Sequence, residues 1–446
     1  MSLAACTAFY AQQRPLNSPI NQKGIHQGSG DVITPTSGID RPEDAGTRMH
    51  PFFKIYVPAG RAGQLGFAEE KVHPEGTPIS GYYAETPQSL ACLYGVTAWT
   101  AGCSPSTLPN TAHATGGSKA IAVVEAFDYP TALADLTKYS AEFGLPAPVG
   151  TGTHANFTTV YATGTNPGPD PACAADGGWN CWTPESALDV DMAHAMAPAA
   201  HIYLVEAAGE TTAELYAAIA KAASLVAAAG GGEVSMSFGS PEFASETSLD
   251  STFTGANVVF FAAAGDHEGV YYPSASPDVV SVGGTTISRN YSNGLDIEAE
   301  ITWEDGGGGY SEYEKEPAFQ DVVFGTGTDY TRAVPDVAAV GNPRTGVWIY
   351  DSYDNASPWN IVGGTSVAAP VFAGAVNAAG QFSVSTAAEH TLLYSNFFND
   401  PVSGWGINGN LRDITYGSCG YYEGWYGVSG WDPCTGLGSP YGTAGK

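Results

Sequence analysis

Five short apolar runs constrain the fold more than anything else in this chain. Residues 119–125, 199–206, 233–238, 257–264 and 278–282 are rich in Val, Ala, Phe and Ile and are nearly continuous rather than alternating. Strands of that kind belong in a parallel sheet covered on both faces. Helical patterns lie between them: 129–143, stopped by Gly144, and 211–229, stopped by three glycines from Gly230. Strand–helix alternation implies an α/β fold with a mostly parallel central sheet and helices on both faces. Residues 81–446 contain no internal repeat and no dividing linker, so they read as one unit. Residues 1–80 are polar and rich in Gly and Pro, with 52–58 as their one convincing strand. They read as an extended arm or the remnant of a longer leader. A short helix over 84–94 follows, with Thr86 as its cap and Pro87 at its first position.

The charge balance narrows the function. There are 16 Lys and Arg against 45 Asp and Glu, a net charge of −29. That excludes nucleic acid and anionic membranes as natural partners. No stretch carries 18 consecutive apolar residues, so no membrane span is expected. Self-repulsion on this scale falls at pH about 3–4, where carboxylates approach their intrinsic pKa. Halophily is the other reading, but halophile surfaces are more densely charged than the 14% found here. An acidic working environment fits better. Met1 to Ala5 show neither the basic flank nor the apolar core of a signal peptide.

The 7 cysteines contain no CxxC and no zinc spacing. Cys92 and Cys103, Cys173 and Cys181, and Cys419 and Cys434 are neighbours in sequence, so three local disulfides with Cys6 left over is the simplest arithmetic. It implies an oxidising, extracellular setting, and hence a secreted protein.

Three stretches carry candidate chemistry. Gly363-Gly364-Thr365-Ser366 opens a run of small and apolar residues that reads as a buried helix. The glycines permit a sharp turn and a close approach by another chain. Ser366 is then either a nucleophile at a helix mouth or simply a helix cap. In 183–198, Thr183 reads as a cap and Pro184 as the first turn. Glu185 and Asp189 are four apart and share a helix face that continues into Met192 and Met196. Two acids there repel unless they share a proton, which is one way to build a base that works in acid. Ordinary first-turn acids are the alternative. His194 lies off that face, and no histidine sits in a recognisable base motif. The third stretch ends a strand at Gly265-Asp266. A protonated Asp266 could donate to an oxyanion, where an ionised one would repel it. A turn-forming Asp is the plain reading. Tyr271 and Tyr272 could line subsites, though packing is the commoner role for such residues.

Taken together and in order, these segments resemble the sedolisin family of serine-carboxyl peptidases. The resemblance covers about residues 81–446. It rests on Glu185…Asp189, Gly265-Asp266, Gly283-Gly284-Thr285, Arg332…Asp336, Gly364-Thr365-Ser366, and the tail from Asp413-Ile414 to Gly430-Trp431-Asp432 and Gly438. It implies a subtilisin-like fold and an acid-active endopeptidase. Ser366 would be the nucleophile, Glu185 the general base and acid, Asp189 its support, and Asp266 the oxyanion donor. It also implies one structural calcium ion, held by the carboxylates of Asp413 and Asp432 and the carbonyls of Ile414, Val428 and Gly430. Hard oxygen ligands of that kind suit calcium. Val428 departs from the family, which has a small residue there, and the short N-terminal region departs from its large folded propeptide. The expected partner is a peptide or protein substrate, and a monomer is expected. Two rivals remain: a neutral subtilisin-type peptidase, and a catalytically silent acidic protein that kept the fold.

Overall fold

The computed structural model describes residues 30–61, 64–68, 78–79, 82–176, 178–290, 295–326, 330–399, 407–408, 411–420 and 424–443. Residues 1–29, Cys6 among them, lie outside these.

The apolar runs form the expected sheet. Its spatial order is Asp296–Thr302, Val280–Asn290, Val258–Ala263, Gly232–Met236, Ala120–Ala126, His201–Ala207, Phe157–Tyr161. Val337–Val340 pairs with Val280–Asn290 as well. Every pairing is parallel except that of Asp296–Thr302, which is antiparallel. The central strands are buried along their whole length, as a sheet covered on both faces requires. Val280–Asn290 spans 11 residues, well past the end expected from sequence. On one face the Ala-rich helix Thr212–Ala228 packs against the central strands, with Thr211 and Glu214 closing a capping box. On the other face Thr365–Ala379 and Thr183–Met196 pack against each other and the sheet. A Cβ at Gly374 would stand 2.6 Å from Met196 Cβ, so this contact requires glycine.

All 14 residues of the Thr183–Met196 helix are buried, which explains why it lacks a solvated face. Thr183 is not its cap: Trp182 holds the N-cap position and Thr183 is the first helical residue. The Thr183 hydroxyl instead donates to Asp351 at 3.1 Å. The short helix Pro87–Leu93 is capped by Thr86 as expected. The three disulfides Cys92–Cys103, Cys173–Cys181 and Cys419–Cys434 are formed. Among the described residues no helix is long and apolar enough to cross a membrane.

The described part of the arm is woven into this framework. Lys54–Val57 pairs antiparallel with Trp359–Gly363, the strand that leads into Ser366. Asp31–Ile33 pairs with Lys54–Val57 from the other side. His50–Pro51 pairs with Phe238–Pro241. Residues 50–57 therefore run across the mouth of the Thr365–Ala379 helix.

Candidate active site

The site lies at the carboxyl ends of the parallel strands, where open α/β sheets place their clefts. Gly364 turns the chain with φ 122° and is the N-cap of Thr365–Ala379, so Ser366 is the second residue of that helix. A Cβ at Gly364 would collide with the Phe52 carbonyl oxygen and stand 2.7 Å from Asp266 Oδ2. The glycine thus keeps open a space shared by a carbonyl and a carboxyl group. The Ser366 hydroxyl donates to the Ser237 carbonyl at 3.0 Å and accepts from the Phe52 amide at 3.0 Å. It is not a helix cap, because Gly364 occupies that position.

Glu185 and Asp189 stack one turn apart, and both are fully buried. Burial first, then the charge of Asp189, raises Glu185 well above the usual carboxylate range, while the Ser366 hydroxyl opposes the rise. Both Glu185 oxygens lack a hydrogen-bond partner among the described residues. Asp189 Oδ1 accepts from the Ser237 hydroxyl at 2.7 Å. Burial pushes Asp189 up to about 7, against the pull of Glu125 and Ser237.

Glu125 is the residue that sequence reasoning missed. It lies near the carboxyl end of the buried strand Ala120–Ala126. Burial, then the charges of Asp189 and Glu185, raises it well above the normal range. Glu125 Oε1 and Asp189 Oδ2 each lack a partner among the described residues. Two adjacent carboxyls with orphaned oxygens satisfy one another only by sharing a proton. The available signal was a carboxylate closing an otherwise apolar parallel strand.

Asp266 stands opposite. Its Oδ1 accepts from the Thr365 amide at 2.7 Å and the Thr365 hydroxyl at 3.0 Å. Its Oδ2 is buried with no partner among the described residues. Burial raises it to about 7, against the pull of Lys54. A neutral carboxyl here has a proton free to donate into the space beside Gly364. The structure therefore brings Ser366, Glu185, Asp189 and Asp266 into one cluster. His194 lies outside it, bonded to the Pro146 carbonyl at 2.9 Å and lowered to about 4 by burial.

The tail residues also converge. Asp413 Oδ2 accepts from Ser429 Oγ at 3.2 Å and from the Gly430 amide at 3.1 Å. Asp432 accepts from the Val428, Cys434 and Thr435 amides. Asp413 Oδ1 is buried with no partner among the described residues. An orphaned carboxylate oxygen near a second buried carboxylate fits a cation. No group of three His, Cys, Asp or Glu arranged for a metal occurs among the described residues, so main-chain oxygens would have to complete such a shell.

A subtilase family model matches residues 185–391. Kumamolisin of Bacillus sp. (strain MN-32) is 32% identical over 340 residues, 69% of this chain and 56% of kumamolisin. Sedolisin of Pseudomonas sp. (strain 101) is 36% identical over 186 residues, 38% of this chain and 28% of sedolisin. The chain thus spans little more than half of one relative and under a third of the other. The solved structure of Pseudomonas sedolisin, a serine-carboxyl proteinase complexed with two molecules of pseudo-iodotyrostatin, superimposes with a TM-score of 0.60 at 22% identity. That match covers 80% of this chain and 95% of the sedolisin chain, and it establishes the subtilisin-like fold. The chain belongs to the sedolisin family.

Proposed function

We propose that the protein is a secreted, acid-active serine-carboxyl endopeptidase. The observation that carries this reading is the partnership of Ser366 with buried carboxyls, Glu185 on one side and Asp266 on the other, with no histidine among them. Ser366 attacks the peptide carbonyl as its hydroxyl proton passes to Glu185. The same proton is then given to the leaving amine, and a water molecule, deprotonated by Glu185, releases the acyl group. Asp266, protonated, donates through Oδ2 to the oxyanion beside the Ser366 amide. Asp189 and Glu125 share the protons of the cluster with Glu185, so that its negative charge belongs to the coupled set and reaches Glu185 when the Ser366 proton is taken.

The sign of the pH dependence follows. The oxyanion donor needs Asp266 protonated, and that form is lost as pH rises through about 7. The base needs one negative charge in the cluster, and that charge is lost as pH falls, because burial raises Glu185 and Glu125 well above the ordinary range and Asp189 to about 7. Turnover is therefore confined to the acid side of neutral. Disulfides throughout the chain support secretion. One calcium ion, held by Asp413, Asp432 and the carbonyls of Ile414, Val428 and Gly430, would brace the tail.

A pH–rate profile on a denatured protein, with Ser366→Ala beside the wild type, tests the reading. Activity near pH 4 that Ser366→Ala abolishes is expected. Full activity at about pH 8 with none at about pH 4 overturns it.

A further inference from the structure

The arm residues do more than cover the cleft. The Phe52 amide donates to the Ser237 carbonyl at 3.2 Å, and the Phe52 carbonyl accepts from the Ser366 amide at 3.1 Å. On one side of Phe52, His50 and Pro51 pair antiparallel with Gly239 and Phe238. On the other, Lys54 pairs with Gly363. An extended peptide adding a strand to a cleft edge makes this set of main-chain contacts. Each lies in order about one bond, the amide between Phe52 and Phe53.

The side chains are accommodated as specifically as the backbone. The Phe52 ring stands edge-on to Tyr271, with centroids 5.0 Å apart. A Cβ at Gly239 would lie 2.9 Å from Phe52 Cε2, so the ring fills space that only glycine leaves open. Beyond the bond, Lys54 is buried, donating to the Asp266 carbonyl at 3.0 Å and to Asp305 at 2.8 Å. A buried lysine is costly unless paired, and here two acceptors are in place for it.

We infer that residues 50–57 lie in the cleft as a bound substrate, with the Phe52–Phe53 bond at Ser366. The cleft accordingly takes extended peptides with an aromatic residue before the cut and a lysine two residues after it. This rests on the peptidase reading given above and adds the substrate class and register. The reaction is ordinary acyl transfer. Ser366 Oγ bonds to the Phe52 carbonyl carbon while its proton moves to Glu185. The bond to the Phe53 nitrogen breaks, and that nitrogen takes the proton. Water then hydrolyses the Phe52 ester, leaving a Phe52 carboxyl and a Phe53 amine. Until that cut is made, residues 50–57 exclude other peptides from the site.

The full chain at about pH 4, followed by intact-mass and N-terminal analysis, tests the inference. A synthetic peptide, His-Pro-Phe-Phe-Lys-Ile-Tyr-Val, and its variant with Ala before the cut are added in parallel. A new N-terminus at Phe53 is expected, absent in Ser366→Ala and slowed at least about tenfold in Phe52→Ala. Peptide hydrolysis should lag behind the appearance of the Phe53 terminus, then favour the Phe peptide over the Ala peptide by at least about tenfold. Tyr271→Ala should narrow that preference. Hydrolysis of both peptides alike, without a lag and without a cut at Phe53, overturns the register and leaves the peptidase reading standing. Absence of any cut and of any peptide hydrolysis overturns both. A Phe53 terminus that persists in Ser366→Ala assigns the cut to another enzyme and overturns the inference.

Discussion

The Ser366 amide donates to the Phe52 carbonyl across 3.1 Å, joining residues 314 apart in sequence. Asp266 Oδ2 borders the same space from the other side, buried and without a partner among the described residues. If Asp266 supplies the second oxyanion hydrogen bond, Asp266→Ala lowers kcat by about 10²–10³. KM changes little, because the bond strengthens as charge develops. Steady-state kinetics near pH 4 on a soluble peptide separate the two constants.

Stability should fall as pH rises. Burial raises Asp189 and Asp266 to about 7, Glu233, Asp351 and Asp432 to about 8, and Glu206 and Glu246 to about 9. In the unfolded chain these groups titrate near their ordinary values of 3.8 to 4.5. Between those limits the native state holds more protons, so each pH increment favours unfolding. The Tm should drop by at least about 5 °C between pH 4.5 and pH 7.5. Asp336 runs the other way, held below the usual range by Arg332 and His390 against its own burial. Its contribution is lost only in strong acid. Thermal scans in the Ser366→Ala background record both limbs without self-digestion.

His194→Ala should leave turnover within about threefold of wild type, since the ring is bonded to the Pro146 carbonyl, away from Ser366. A neutral peptidase dependent on histidine would lose activity instead. Peptide hydrolysis by the correctly folded variant, checked by circular dichroism, decides between them.

Glu125 should act through Asp189. Glu125→Gln keeps a donor for the orphaned Asp189 oxygen at every pH, whereas Glu125→Leu removes it. The Leu variant should lose at least about tenfold in kcat and shift the acid limb of the pH–rate profile, with the Gln variant retaining most activity. Equal losses in both, with unchanged profiles, would reduce Glu125 to packing.

Calcium should raise the Tm of the wild type in a concentration-dependent way. Asp413→Asn should abolish most of that shift, because it removes the charge carrying the unpartnered oxygen. Calorimetry with and without a chelator measures this independently of peptidase activity.

The sheet was legible because its strands carry their burial in their composition. Val258–Ala263 is apolar at every position and is buried at every position. The roles of Ser366, Glu185 and Asp266 were suggested by short motifs, but not one distance among them was. Thr183 was misread as a cap because Thr before Pro is locally persuasive, while Asp351, 168 residues on, claims its hydroxyl. Glu125 was passed over as the polar end of a strand, because the acids that press on it come from another helix. The seating of Phe52 against Gly239 and Ser366 left no local trace at all. It depends on strand pairings between segments hundreds of residues apart, which no periodicity encodes.

The pairing of Asp31–Ile33 with Ile55–Val57 has a mechanical effect. It ties chain from upstream of Phe52 to chain just downstream of Phe53. On the upstream side, the Met49 amide is also anchored to the Glu210 carbonyl and the Thr212 amide to the Thr47 carbonyl. Severing one link in a segment belayed at both ends does not let it fall away. The two new termini stay face to face, where the amine is better placed than bulk water to recapture the acyl group. Departure then waits on unzipping a strand rather than on breaking a bond, so the rate of activation is set by local unfolding.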